Sequence, residues 1–320
     1  MILFDQKTPV DKLNDYLKNR INFLNKNEVL IDTEIPGEGN MNIVIRLITN
    51  QRSFILKQSR SFVAKYPKLS APLNRIAAEY NFYSQVGVNS FFPKVLKFDP
   101  KNYILFLEDL GNCQDLTSIY QSNIVPKDFI DKLITGLNYI HQQKISKVYP
   151  ENKLLRKLNH QHIFILPFIE NDFSLDHVQK GLKELAKPYK TNKILFKKIS
   201  EAGKIYMEKG DTLLHGDYYP GSWIQLDKRL CIIDPEFSFL GPKEFDLGVM
   251  AAHIILTTGQ RSFFDLTIKN YQGKINVNMT KIYCGIEIIR RLIGLAQLPI
   301  KRTLKQKKNL LNLANDLILQ

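Results

Sequence analysis

Cysteine is scarce in this chain, with Cys113, Cys231 and Cys284 the only three among 320 residues, odd in number and far apart. That excludes a disulfide framework, and no two stand at the close spacing of a structural zinc site. Three buried free thiols are expected. Arginine is sparse as well, 11 of the 45 basic residues, and it nowhere forms a block. Although the formal charge is +14, the lysines that supply most of it are dispersed. No arginine-rich arm, ribonucleoprotein string or zinc-finger spacing points to a nucleic-acid partner, and none is expected. Long apolar runs are missing too. The stretch from Val249 to Leu256 is too short to span a bilayer. The opening MILFDQKTPV has neither the basic region nor the apolar core of a signal peptide. A soluble cytoplasmic chain without a membrane partner follows as an expectation. No internal repeat is visible, and His141, His160, His162 and His177 share no metal-ligand spacing.

What is present is ordinary globular material, 44% hydrophobic and 24% charged, long enough for two sizeable lobes. The informative stretch is Leu213 to Asp246, LLHGDYYPGSWIQLDKRLCIIDPEFSFLGPKEFD. Apolar runs at 223–226 and 230–233, separated by Asp227-Lys228-Arg229, have the pattern of a tight hairpin. Such a hairpin would bring Asp217, before it, and Asp234, after it, to the same end. Asp234 and Glu236 would then leave a strand and alternate on one side of an extended backbone, where both carboxylates can face one cation. Phosphoryl transfer needs this combination, because its chemistry is mostly positioning and charge neutralisation.

The earlier part of the chain supplies further pieces. Thr8-Pro9-Val10-Asp11 reads as a helix start with a capping hydroxyl. A glycine-containing turn, Gly37-Glu-Gly39-Asn40-Met-Asn42, precedes two strand-like runs, Ile43 to Thr49 and Ser53 to Gln58. Its glycines would let backbone N–H groups approach phosphate oxygens that bulkier residues would obstruct; a ligand-free hairpin turn has the same pattern. Lys57 lies in the second run among apolar residues and wants a partner. Glu79, on a helix expected from Leu73 to about Gln85, is the acid placed to meet it. A third strand, Tyr103 to Leu107, ends in Glu108-Asp109-Leu110, a hinge whose backbone groups suit an adenine. Beyond it the expected helices are Phe129 to His141, Ser174 to Leu185, Ile194 to Met207 and Phe245 to Leu256.

The strings His215-Gly-Asp217 and Asp234-Pro-Glu236 together resemble those of the aminoglycoside phosphotransferase and choline kinase superfamily, small-molecule relatives of the protein kinases. Gly221-Ser222, Gly241-Pro242, Phe245-Asp246 and Arg290-Arg291 are similar to the 5-methylthioribose kinase family within it. The resemblance covers about residues 30–300. It implies a bilobal, protein-kinase-like α+β fold, with a nucleotide-binding lobe at 1–110, a catalytic and acceptor-binding lobe at 111–320, and ATP between them. It further implies that Gly37, Gly39, Asn40, Asn42, Lys57, Glu79, Glu108 and Leu110 bind the nucleotide, and that Asp234 and Glu236 hold Mg2+. Asp217 would orient the attacking hydroxyl, with Arg290 and Arg291 on the sugar. The implied reaction is phosphorylation of 5-methylthioribose at its anomeric hydroxyl in methionine salvage; a homodimer is left open. Tyr218-Tyr219-Pro220 stands where the family has smaller, more polar residues, so two aromatics are expected to reshape the acceptor pocket. An aminoglycoside or choline acceptor would want acids in place of Arg290-Arg291, and no HRD or DFG string marks a protein kinase.

Overall fold

The computed structural model describes residues 1–37, 41–145, 148–226 and 229–320. Its contacts group Met1–Gln114 with Ile224–Phe237 in one unit, and Asp115–Trp223 with Ser238–Gln320 in another.

In the first unit α1 (Val10–Asp15) runs on through a wider π turn, Tyr16–Arg20. Thr8 does not cap it: Pro9 stands at the cap position, and the Thr8 hydroxyl is taken up by Asp5, with which it exchanges two hydrogen bonds. Five strands follow within one sheet: β1 (Leu30–Glu34), β2 (Ile43–Thr49), β3 (Ser53–Gln58) and, after the small ribbon β4 (Phe62–Val63) and β5 (Tyr66–Ser70), β6 (Val95–Asp99) and β7 (Ile104–Glu108). Their order is β1-β2-β3-β7-β6, and every neighbouring pair is antiparallel. Side chains alternate across a strand, and β3 uses both faces. Phe54 and Leu56 enter an apolar cluster with Leu13, Tyr16, Leu17, Ile45 and Phe106, which leaves Lys57 on the opposite face. That face receives α2 (Arg75–Val86), closed by Gly87 in the left-handed region. β7 begins one residue later than expected because Tyr103 also adopts a positive φ.

The second unit is mainly helical, with α3 (Ile119–Ser122), α4 (Lys127–His141), α5 (Lys153–His160), α6 (Leu175–Val178), α7 (Leu182–Lys190) and α8 (Lys193–Met207) before β8 (Thr212–Leu214). The single helix expected over 174–185 is broken into α6 and α7. Gly181 turns left-handed there, and the Asp176 carboxylate takes the backbone N–H groups of Gly181 and Lys183 away from a continuous helix. Next comes the hairpin β9 (Trp223–Leu226) and β10 (Arg229–Ile232), of whose turn Asp227 and Lys228 lie outside the described residues. Backbone and side-chain donors of Ile232 and Arg229 bond the carbonyls of Phe91, Ser90 and Phe92, which ties this hairpin to the first unit. β11 (Phe239–Gly241) then pairs antiparallel with β8.

The chain ends in α9 (Glu244–Thr258), α10 (Ser262–Asn270), α11 (Val277–Ile293) and α12 (Leu304–Leu319). α9 is buried on all sides from Phe245 to Thr257, as befits the central helix of a bundle, and α11 packs along it. Among the described residues no helix is long and apolar enough to cross a membrane. All three thiols are free; Cys231 and Cys284 are buried, whereas Cys113, expected to be buried, is only partly so because it sits on the loop after β7.

Candidate active site

In the first unit the Lys57 ammonium lies 2.7 Å from Glu79 Oε2 and 2.6 Å from Asp234 Oδ1. Lys57 faces α2 because of its parity in β3, and Glu79 meets it because Ile76, Glu79, Tyr83 and Val86 share the buried side of that helix. Burial works against the ammonium's charge, but Asp234, Glu79 and Glu236 outweigh it and raise its pKa. Burial lifts Glu79 to about 8 against the pull of Lys57, with Asp234 and Glu236 adding to the rise.

Asp234 and Glu236 do not alternate along an extended backbone as the sequence suggests. Asp234 takes φ +61°, in the left-handed region, and Pro235–Phe237 form a short 3-10 turn. A non-glycine residue held there stores strain of about 1–3 kcal/mol, the kind found where a side chain must be aimed. The two carboxylates accordingly have different surroundings. Asp234 leaves 48% of its side chain open, whereas Glu236 is buried, accepting from Asn42 Nδ2 at 2.9 Å and pairing with Arg75 Nε at 3.3 Å. Burial raises the pKa of Glu236, opposed by Lys57 and Arg75.

In sequence Arg75 looks like an ordinary helix-start cation. It is fully buried and also donates to Asn42 Oδ1 and to the carbonyls of Met41, Arg60 and Pro72. Asn42 therefore has protein partners at both ends of its amide. Three carboxylates here meet two cations, an imbalance that a further cation beside the open Asp234 would relieve. Among the described residues no three ligating side chains are grouped for a metal. A divalent ion at this place would draw on one or two carboxylates and otherwise on ligand oxygens, which is how magnesium is commonly held.

Of the other residues expected to bind the nucleotide, Gly39 and Asn40 lie outside the described residues. At Gly37 a Cβ would meet nothing within 4 Å among the described residues, so none of them requires glycine there. Glu108 closes β7 and accepts from Lys94 N at 3.0 Å. Leu110 is half-buried in the segment that follows. That segment is pinned by Arg46, which pairs with Asp109 at 2.9 Å and donates to Gly111 O at 2.7 Å.

In the second unit Asp217 follows a turn whose Gly216 has φ +82°, and its geometry is set from α9. Asp246, fully buried, accepts the backbone N–H of His215 at 2.7 Å and of Gly216 at 3.0 Å. Ser222 Oγ donates to Asp217 O at 2.9 Å, closing the loop on its other side. The Asp217 carboxylate is 29% exposed and lies 3.8 Å from the Arg291 guanidinium. Arg290 and Arg291 are both buried on α11 and share Glu287, three and four residues earlier, at 3.2 and 2.6 Å. Tyr218 and Tyr219 part company. Tyr218, expected beside the acceptor, is instead a core residue, its ring against His215 and Trp223 and its hydroxyl donating to Leu133 O at 2.8 Å. Tyr219 alone faces the arginines, its ring centroid 4.9 Å from the Arg291 guanidinium carbon.

The model of the Phosphotransferase enzyme family matches residues 33–278, a span that takes in the Lys57 cluster and Asp217 and ends before Glu287, Arg290 and Arg291. This chain belongs to that family. Among curated relatives, the methylthioribose kinase of Geobacillus sp. (strain WCH70) is 26% identical, over 89% of this chain and 85% of its own length. That of Bacillus pumilus (strain SAFR-032) is 26% identical, over 94% and 90%. Solved structures share the fold. An ethanolamine kinase from Plasmodium vivax superposes with a TM-score of 0.55 at 12% identity, covering 91% of this chain and 82% of that one. A spectinomycin phosphotransferase in complex with ADP and spectinomycin gives 0.52 at 13% identity, covering 98% of each. The phosphotransferase thus has the α+β fold of the aminoglycoside and choline kinases, as the sequence predicts.

Proposed function

We propose that this phosphotransferase is an ATP-dependent kinase that phosphorylates 5-methylthioribose at the anomeric hydroxyl, forming 5-methylthioribose 1-phosphate and ADP. The observation that carries the acceptor assignment is Arg291 at 3.8 Å from Asp217 on a helix that also presents Arg290. Forked guanidinium donors suit a neutral, polyhydroxylated acceptor. Beside the same groups a cationic choline or aminoglycoside would meet like charge. Similarity to methylthioribose kinases along most of the chain supports the same choice.

In this reading the first unit serves the nucleotide. Lys57 neutralises phosphate oxygens and Glu79 orients it; the turn that opens at Gly37 serves the phosphates; and backbone groups from Glu108 to Leu110 take the adenine. Asn42 acts through Glu236, whose orientation it fixes. Asp234, with Glu236 behind it, would hold Mg2+, which when bound neutralises charge on the triphosphate. The second unit serves the acceptor. Asp217 accepts a hydrogen bond from the attacking hydroxyl and takes its proton as the new O–P bond forms and the bond from the γ-phosphorus to the β-γ bridging oxygen breaks, leaving ADP. Ser222 and Asp246 hold the Asp217 loop.

Magnesium-dependent ADP release measured with 5-methylthioribose, ribose, choline and kanamycin tests the assignment. 5-Methylthioribose should give the highest kcat/KM. A better rate with choline or kanamycin would overturn it.

A further inference from the structure

Behind the two arginines lies a buried polar chain that the reaction itself does not require. Glu287 divides its carboxylate between them: Oε2 faces Arg290, while Oε1 takes Arg291 Nε at 2.6 Å and His253 Nε2 at 3.0 Å. His253 Nδ1 lies 2.6 Å from the Tyr120 hydroxyl. The proton positions follow from the partners. Glu287 stays ionised, because the pull of Arg290, Arg291 and His253 overcomes burial, and a carboxylate can only accept. His253 Nε2 must then carry the hydrogen, its Nδ1 is a lone pair, and Tyr120 donates to it. Each of the three side chains is buried.

Helix α9 links this chain to the loop that presents Asp217. His253 stands seven residues after Asp246, two turns on and therefore on the same side of the helix, about 10.5 Å along its axis. One rigid, fully buried helix thus holds the backbone of His215 and Gly216 at one end and the arginine clamp at the other. We infer that Tyr120, His253 and Glu287 are positioning residues, a relay that fixes the Arg290–Arg291 pair, and with it the reach of Arg291 to Asp217, for acceptor binding. A clamp of this type suits an acceptor read by directional hydroxyl hydrogen bonds, since a misaimed guanidinium keeps its charge but loses its fork. The inference rests on the acceptor role of the arginines proposed above.

The test is steady-state kinetics of Tyr120→Phe, His253→Leu, His253→Gln and Arg291→Lys, with 5-methylthioribose and, beside it, ribose, choline and kanamycin. Removing one directed hydrogen bond should raise the acceptor KM about three- to tenfold in Tyr120→Phe and more in His253→Leu, with the ATP KM within about twofold of wild type. His253→Gln, whose amide can still donate to Glu287, should recover most of the loss; a side chain that merely fills space would not show that order. If the wild type prefers another acceptor of the panel, the substrate assignment fails and the relay is read on that acceptor instead. A raised acceptor KM in Arg291→Lys with none in Tyr120→Phe or His253→Leu overturns the relay and leaves the arginine assignment standing. So does an equal rise in both KM values, which would mark general loosening. A wild type that turns over no acceptor, or an acceptor KM unmoved in Arg291→Lys, removes the arginine assignment and the relay with it.

Discussion

Replacing Lys57 by methionine separates what its ammonium does for stability from what it does for turnover. The side chain is 5% exposed, lies against Glu79, which is not exposed at all, and faces Asp234 on its other side. Methionine keeps the length and removes the charge, so Glu79 is left buried without its cation. Breaking a buried pair from one side costs about 3–5 kcal/mol, most of it the stranded charge. Adding Glu79→Gln removes that charge and should return most of the stability. It should not return turnover, because the cation proposed for the nucleotide phosphates is still gone. The deficit of Lys57→Met should also depend on pH. Glu79 already sits at about 8, above its unfolded value of 4.5, with Lys57 present, and losing Lys57 moves it higher. The folded variant then binds more protons than the unfolded chain throughout that window, and its stability falls as pH rises from 4.5 through the folded value. The wild type shares that fall up to about 8, so the deficit relative to it widens only above that value; urea denaturation followed by circular dichroism at pH 7 and pH 9 reads this directly, with the larger deficit expected at pH 9. A single variant as stable as wild type at pH 9, or a double variant with wild-type ADP release, would refute the reasoning.

Three further outcomes are expected. Asp217→Asn should bind ATP as the wild type does while kcat falls by about two to four orders of magnitude; near-normal turnover removes Asp217 from the proton-accepting role. Arg290→Lys and Arg291→Lys should each raise the acceptor KM more than the ATP KM, since a compact ammonium cannot reproduce forked donation, and an unmoved acceptor KM in both counts against their contact with the sugar. Asp234→Ala should lose the rise in melting temperature produced by Mg-ATP, whereas Glu236→Gln should keep a weaker rise that recovers with added magnesium or manganese; equal rises in wild type and Asp234→Ala would show that the cation is held elsewhere.

Why some of these groups were visible in sequence and others were not has a physical basis. A lysine flanked by Ile55, Leu56 and Gln58 in a strand announces a buried charge, and a buried charge announces a partner, so Lys57 and Glu79 could be matched across 22 residues of chain. β2 and β3 were legible because both strands are rich in apolar residues; β1 was not, since Leu30 is its only buried residue. Arg75 escaped notice because its partners, backbone carbonyls, an amide and a carboxylate, come from segments that only the folded chain assembles. The backbone at Asp234 escaped for a related reason: a positive φ ahead of a proline contradicts local preference and is imposed by the surroundings. Tyr218 and Tyr219 are identical in composition and adjacent, and only the turn at Pro220–Ser222 sends one into the core and the other towards Arg291. Glu287 was within reach, because an acid three and four residues before a twin arginine on a helix is its natural neighbour. Tyr120 and His253 were not, since 133 residues separate them.

The two clusters also differ in what they leave unfinished. Around Lys57, the carboxylates Glu79, Asp234 and Glu236 outnumber the cations Lys57 and Arg75, and the cost shows in the raised carboxyl groups of Glu79 and Glu236. Of these carboxylates the one with substantial open surface is Asp234. Around Glu287 the count balances, with Arg290 and Arg291 against Glu287 and Asp217. There the weakest link is the 3.8 Å separation between Arg291 and Asp217, too long for a direct hydrogen bond. A hydroxyl that donates to Asp217 and accepts from Arg291 would complete that link. On the proposed assignment, the first cluster therefore depends on a ligand's charge, and the second on a ligand's hydrogen-bonding geometry. Charge is what varies between choline and a sugar, and hydroxyl geometry is what varies between one sugar and another. On that assignment, discrimination among sugars falls to how firmly Glu287 and His253 hold the arginines.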